Sequence, residues 1–219
     1  MAGTALFDLD KTITRQGTWS RFVRHATGGS FGFWAKLPLA GFQAVKYKAG
    51  FANRASVKER SIALYLEGRT RAELTELARD FVERDVERGL RKQARPVIEA
   101  HRDAGDRLII ASAAVDLIVE PMAKALGFDG YISTNLQWGA DDRLLAPLDG
   151  ENCYGEEKLR RVEAYFDGKR PAGPISFYSD HVTDLPCLVW ADRGVAVNPN
   201  PPLRAQAPKN GVEVVNWDV

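Results

Sequence analysis

Two aspartates one residue apart, Asp8 and Asp10, close an apolar run in the stretch TALFDLDKTIT, residues 4–14. Like charges this close repel unless something positive sits between them. Carboxylates so arranged are either solvated at a strand end or share a metal ion and do chemistry with it. A calcium loop also uses spaced aspartates, but here no glycine and distal glutamate follow at the spacing such a loop needs. Further along, a serine ends a second apolar run, IIAS at 109–112, and a third runs into SDHVTD at 179–184, which carries Asp180 and Asp184.

The elements that must position these residues can be read from the same runs. TALFD (4–8), RLIIAS (107–112) and PISFYSD (174–180) read as buried parallel-type strands, and GVAVN (194–198) as a weaker fourth. Helical patterns lie between them: VDLIVEPMAKALG (115–127), with Gly127 as its stop, and GEEKLRRVEAYFDG (155–168). Alternating strands and helices predict an α/β fold, a Rossmann-like parallel sheet with helices on both faces. Ligands bind such sheets outside the carboxyl ends of the strands. Asp8, Ser112 and Asp180 all fall there, so they are expected to share a site.

The segment between the first two strands is too long for a simple crossover. Residues 15–90 carry only helical signals, SVKERSIALYLEG (56–68) and TRAELTELARDFVERDVERGL (70–90) among them. In the second, Leu74, Leu77, Ala78, Phe81 and Val82 share one helical face, and Thr70 with Glu73 reads as a capping box. The expectation is a core domain of residues 1–14 and 91–219 with a helical cap, 15–90, inserted after the first strand. The aromatic stretch 31–51 contains Lys36, Lys46, Lys48 and Pro38, which make it a poor membrane span. It is either packing within the cap or an amphipathic surface that touches lipid or an apolar substrate. The proline-rich NPNPPLRAQAP (198–208) reads as a surface turn.

Bulk properties exclude more than they assign. The 30 Lys and Arg against 29 Asp and Glu give a net charge of +1, so no overall field points to nucleic acid. Cys153 and Cys187 are far apart and in no metal spacing, which speaks against a disulfide framework or structural zinc. The N-terminus lacks the apolar stretch of a signal peptide, and a cytoplasmic location is expected, with peripheral contact at the inner membrane face as the variant that 31–51 would allow.

Taken together, DLDKT (8–12), the serine after IIAS, Lys158 in GEEK and SDHVTD follow the order of the four motifs of the haloacid dehalogenase (HAD) superfamily. The resemblance covers nearly the whole chain, and a cap between the first two motifs resembles subfamily IB, the phosphoserine-phosphatase-like branch. It implies a Mg²⁺-dependent phosphatase that hydrolyses a phosphate monoester through an aspartyl-phosphate. A phosphotransferase using the same site shares every motif. Asp8 would be the nucleophile and Asp10 the acid and then the base. Mg²⁺ would take the carboxylates of Asp8 and Asp180 and the backbone carbonyl of Asp10. Ser112 and Lys158 would hold the phosphoryl oxygens, Asp184 would orient Lys158 or a metal-bound water, and Thr12 would fix the loop. Asp10 argues against a dehalogenase, which needs no acid there. His181 is expected to make a surface or substrate-edge contact rather than bind metal.

The substrate is less legible. Phosphoserine-specific members of the branch usually carry an acid shortly after the first motif, and here Gly17 stands in TRQGTWSRF. RQGTW, the stretch 31–51 and EGRTRAEL also resemble the phosphatidylglycerophosphatase C family, which implies a lipid phosphate acted on at the membrane surface. Histidinol phosphate and other small phosphorylated metabolites stay open.

Overall fold

The computed structural model describes residues 2–29, 33–35 and 54–219. Its centre is a seven-stranded sheet in the order β4-β3-β2-β1-β5-β6-β7. The strands are β1 (Thr4–Phe7), β2 (Arg107–Val115), β3 (Gly130–Trp138), β4 (Leu144–Asp149), β5 (Ile175–Ser179), β6 (Arg193–Val197) and β7 (Glu213–Val215). All neighbours pair in parallel except β3 with β4. The expected α/β fold with a parallel core is therefore the one observed.

Alternation along the strands sorts side chains to two faces. Ala5, Phe7, Leu108 and Ile110 join one apolar cluster, and Leu6, Ile109, Ala111 and Phe177 join the other. Helices α4 (Ala94–Asp103) and α5 (Asp116–Leu126) contribute Ile98, Ile118 and Met122 to the first cluster. To the second, α6 (Glu156–Tyr165), α7 (Leu185–Trp190) and α8 (Pro201–Gln206) bring Val162, Leu188 and Leu203. Phe7 sits in the middle, stacked on Tyr178 at 4.5 Å between ring centroids.

Between β1 and β2 lie α1 (Trp19–Ala26), α2 (Arg54–Tyr65) and α3 (Arg71–Arg88). The Glu73 amide donates to Thr70 Oγ1 at 3.3 Å, so the capping serves α3 as its spacing predicts. The chain leaves and returns along paired backbone. Thr14 bridges Leu90, the Arg15 amide donates to the Gly89 carbonyl at 2.8 Å, and the Arg91 amide donates to that of Ile13 at 2.9 Å. Phe22, Leu74, Ala78 and Phe81 join the same apolar cluster as α4 and α5, so the inserted helices share a core with the sheet's helices.

Three local expectations change. The strand expected to stop at Ser112 continues to Val115, with its pairing to β3 shifted between Ala111 and Val115. β3 and β4 were not signalled, because segments such as YISTNLQW mix polar and apolar residues. The proline-rich segment is not a plain turn. Asn200 Oδ1 accepts from the Leu203 amide at 3.0 Å, and Pro201 opens α8, the position where its missing N–H costs nothing. Most of 31–51 lies outside the described residues. Within it, Phe33 packs on Tyr65 with ring centroids 5.2 Å apart, while Trp34 is 53% exposed.

Candidate active site

The carboxyl ends of β1 and β5 and the Ser112–Ala113 stretch within β2 meet at one cavity of ≈ 140 Å³, and Asp8, Asp10, Ser112, Lys158, Asp180 and Asp184 all line it. Asp8 follows β1 directly. Its amide still donates to the Tyr178 carbonyl at 2.9 Å, so the ladder fixes the backbone that carries this carboxylate. The chain then turns sharply through Leu9–Ile13. Lys11 takes a left-handed conformation (φ 63°) there, which is costly for a residue with a Cβ. The turn brings Asp10 back toward the cavity, where its Oδ1 accepts from the Thr18 amide at 2.8 Å. Thr12 Oγ1 donates to Asp8 Oδ2 at 3.4 Å, inside the same loop.

Lys158 enters from the opposite side, on the first turn of α6. Gly155 precedes that helix at φ 65°, ψ −132°, a conformation open essentially to glycine alone. Fully buried, the Lys158 ammonium donates to Asp8 Oδ1 at 3.0 Å and to Asp184 Oδ2 at 2.6 Å. Ser179 Oγ donates to the same Asp184 oxygen at 2.7 Å, which fixes Asp184 as the anchor of the lysine. Ser112 Oγ accepts from the Ala114 amide at 3.2 Å, an arrangement that leaves the hydroxyl proton to donate into the cavity. His181 is half-buried at the rim, with Nδ1 2.9 Å from Thr183 Oγ1.

Burial dominates the electrostatics. It pushes the Asp8 carboxyl up to about 6 against the opposing pull of Lys158, with Asp184 and Asp10 adding to the rise. Asp180 goes up to about 7, by burial first and then by repulsion from Asp8 and Asp184. Asp10 is raised by burial and pulled back by its hydrogen bond from Thr18. For Lys158, burial would lower the proton affinity, but the carboxylates of Asp184 and Asp8 outweigh it and hold the ammonium charged.

This donor set fits a divalent cation. Two crowded carboxylates with raised proton affinities gain from a shared positive charge, as does a phosphate group brought beside them. Among the described residues no three His, Cys, Asp or Glu side chains form a closed cage.

Sequence reasoning missed Lys58 and Thr18. Lys58, on α2 and 8% exposed, donates to the Ala113 carbonyl and to Asn152 Oδ1, both at 2.7 Å. Its charge also lowers the proton affinity of Asp10. Thr18 acts through its backbone amide, which no residue type announces, and nothing in the sequence says that α2 reaches the residue after Ser112. A larger groove of ≈ 700 Å³, lined by Arg21, Arg24 and Trp34, contains none of these groups.

A buried acid bridged to a lysine, beside a second acid and a hydroxyl at the strand ends of a parallel sheet, defines a group-transfer site suited to phosphate esters. The family model for haloacid dehalogenase-like hydrolases matches residues 5–189, and the chain belongs to that family. Protein CicA of Caulobacter vibrioides is 32% identical over 190 residues, covering 85% of this chain and 82% of that protein. A histidinol-phosphatase of Neisseria meningitidis serogroup C is 28% identical over 152 residues, 68% of each chain. The fold matches a phosphoserine phosphatase solved as a phospho-aspartyl intermediate analogue, with TM-score 0.66 and 16% identity over 100% of this chain and 94% of that one. The chain is thus a hydrolase of the haloacid dehalogenase-like family.

Proposed function

We propose that the protein hydrolyses a small phosphate monoester with Mg²⁺, through a phosphoryl group carried transiently on Asp8. The observation that supports this most is the buried Lys158 ammonium, which touches the candidate nucleophile at 3.0 Å and is anchored by Asp184 at 2.6 Å. Bound Mg²⁺, held by the carboxylates of Asp8 and Asp180 and the Asp10 carbonyl, would offset the charge of the phosphate and of its attacker. The Asp8 carboxylate, ionised, would attack phosphorus in line and displace the ester oxygen. Asp10, whose proton affinity burial raises, would give a proton to that leaving oxygen. It then takes a proton from the water that attacks phosphorus and frees Asp8. Lys158 and Ser112 hold the phosphoryl oxygens while charge shifts between them. Thr12 fixes the nucleophile's loop, and Asp184 fixes Lys158.

The segment 15–90 acts in this reading as a cap over a core of 1–14 and 91–219, with Lys58 its contact to the site. The cavity holds little beyond a phosphoryl group, so the rest of the substrate lies under the cap, past Gly17 and His181. A side chain at Gly17 would grow toward Asp10 Oδ2, 3.8 Å from the position of a Cβ. No acid stands there to pair with a substrate amine, which favours a phosphate ester other than phosphoserine. A second reading, a lipid phosphate met at a membrane surface, draws on the exposed Trp34 with the Arg24 guanidinium 5.9 Å from its ring. No helix among the described residues is long and apolar enough to cross a membrane, so such contact would be peripheral. A Mg²⁺-dependent screen of phosphate esters, with histidinol phosphate, phosphoserine and phosphatidylglycerol phosphate side by side, tests both readings. Absence of Mg²⁺-dependent hydrolysis of any ester would refute them.

A further inference from the structure

Behind the catalytic turn, away from the cavity, lies a second set of contacts that no motif contains. Arg91 is 9% exposed and sits where the chain returns from the inserted helices. Its Nε donates to the Lys11 carbonyl at 2.9 Å, and its Nη1 donates to Asp218. Lys11 is the left-handed residue next to Asp10, and its amide donates to Thr14 Oγ1 at 3.3 Å. The unfavourable turn is therefore held from outside, by a guanidinium fixed to its carbonyl. Asp218 is itself held in place. Asn198 Nδ2 donates to Asp218 Oδ2 at 3.2 Å, and the Trp217 amide donates to Asn198 Oδ1 at 2.8 Å. Two residues past Asn198, the Asn200 amide donates to the Asp180 carbonyl at 2.8 Å. Hydrogen bonds thus link the Asp10 turn through Arg91 and Asp218 to Asn198, and two residues of chain carry on to Asn200, which bonds the strand end that carries Asp180.

We propose that Arg91 is a positioning residue for Asp10, held in register by Asp218, so that proton delivery to the leaving group depends on Asp218 near the far end of the chain. The inference rests on the general-acid role proposed for Asp10. Two features of Arg91 support it. Arginine can serve two acceptors from separate nitrogens in a fixed plane, which a lysine cannot do. A buried guanidinium also holds its geometry only while its carboxylate partner is present. Without Asp218 the Lys11 carbonyl loses a fixed donor, the turn relaxes, and the Asp10 carboxyl drifts from the leaving oxygen. Asp8 and Lys158 rest on the β1–β5 ladder and on α6, so at saturating Mg²⁺, which offsets any weakening at the Asp10 carbonyl, attack on phosphorus is affected less than proton delivery.

The test compares kcat/KM for p-nitrophenyl phosphate, whose leaving group departs with little protonation, and β-glycerophosphate, whose alkoxide needs a proton. Asp218→Asn, at a side chain 43% exposed, should unfold within a few degrees of the wild type and bind the two esters with unchanged KM. It should lose about tenfold on β-glycerophosphate and no more than about twofold on p-nitrophenyl phosphate, within the ~10²-fold that a 1 Å misplacement can cost. Asp218→Glu should restore most of the lost rate, and Arg91→Lys should show the same leaving-group bias as Asp218→Asn. Equal losses on both esters, or none, would overturn the proposal. Asp10→Asn separates the two levels of the argument. If it too loses equally on both esters, the acid role of Asp10 fails; if only it shows the bias, the clamp alone fails.

Discussion

Replacing Lys158 with methionine keeps most of the side-chain volume and removes the only cation that touches both Asp8 and Asp184 among the described residues. At an effective dielectric of about 20, charges at the observed 3.0 and 2.6 Å attract by roughly 6 kcal/mol each. Desolvation of the three charged groups offsets much of that. Removing one partner of a buried ion pair nevertheless costs about 3–5 kcal/mol, because the remaining charge stays buried and unpaired. Here two carboxylates are stranded, beside Asp180, whose carboxyl already titrates at about 7. The cost must therefore depend on pH. A carboxyl whose folded-state pKa is raised binds a proton in the folded protein before the unfolded one does, so stability falls as pH rises through the gap between the two values. Urea unfolding of metal-free protein at pH 8 should show Lys158→Met destabilised by about 3–5 kcal/mol, with the deficit shrinking at pH 5.5 as the stranded carboxylates take up protons. A deficit under about 1 kcal/mol, or one equal at both pH values, would refute the electrostatic account of the site.

Asp8→Asn should abolish turnover and, by removing one crowded charge, raise the metal-free unfolding midpoint at pH 8; retained turnover would remove Asp8 from its role. Asp10→Asn should lower turnover by ~10²–10⁴-fold while calorimetry shows nearly normal Mg²⁺ affinity, since only its backbone carbonyl is assigned to the ion. EDTA should stop hydrolysis and Mg²⁺ restore it. The rise in unfolding temperature on adding Mg²⁺ should be larger at pH 8 than at pH 5.5, where protons compete for Asp8 and Asp180. If 31–51 meets lipid, wild-type protein should sediment with anionic vesicles at low salt, and Trp34→Ala should weaken this without changing p-nitrophenyl phosphate hydrolysis; no sedimentation would remove the lipid reading.

What the sequence made legible was local. An apolar run ending in a carboxylate announces both a buried strand and the residue at its carboxyl end, so Asp8 and Asp180 could be placed together before any contact was known. Gly127 at φ 69° ends α5 as a left-handed cap, and such a cap is written in one residue. What stayed hidden depends on the meeting of distant segments. Lys58 looks like any lysine of a helix until α2 is seen against Ala113, 55 residues away. Arg91 and Asp218 are 127 residues apart, and neither carries a pattern. The edge pair β3 and β4 was missed because its half-polar alternation resembles loop composition. Asp10 illustrates both cases: its type and spacing were readable, but the amide of Thr18 that aims it was not.

The most direct measurement is acid quenching of wild-type protein during turnover, followed by mass spectrometry of its peptides. A phosphoryl group should be found on the peptide that carries Asp8, should require Mg²⁺ in the reaction, and should accumulate further in Asp10→Asn, where release by water is slowed. A phosphoryl group on another residue, or none in a protein that is turning substrate over, would contradict attack by Asp8.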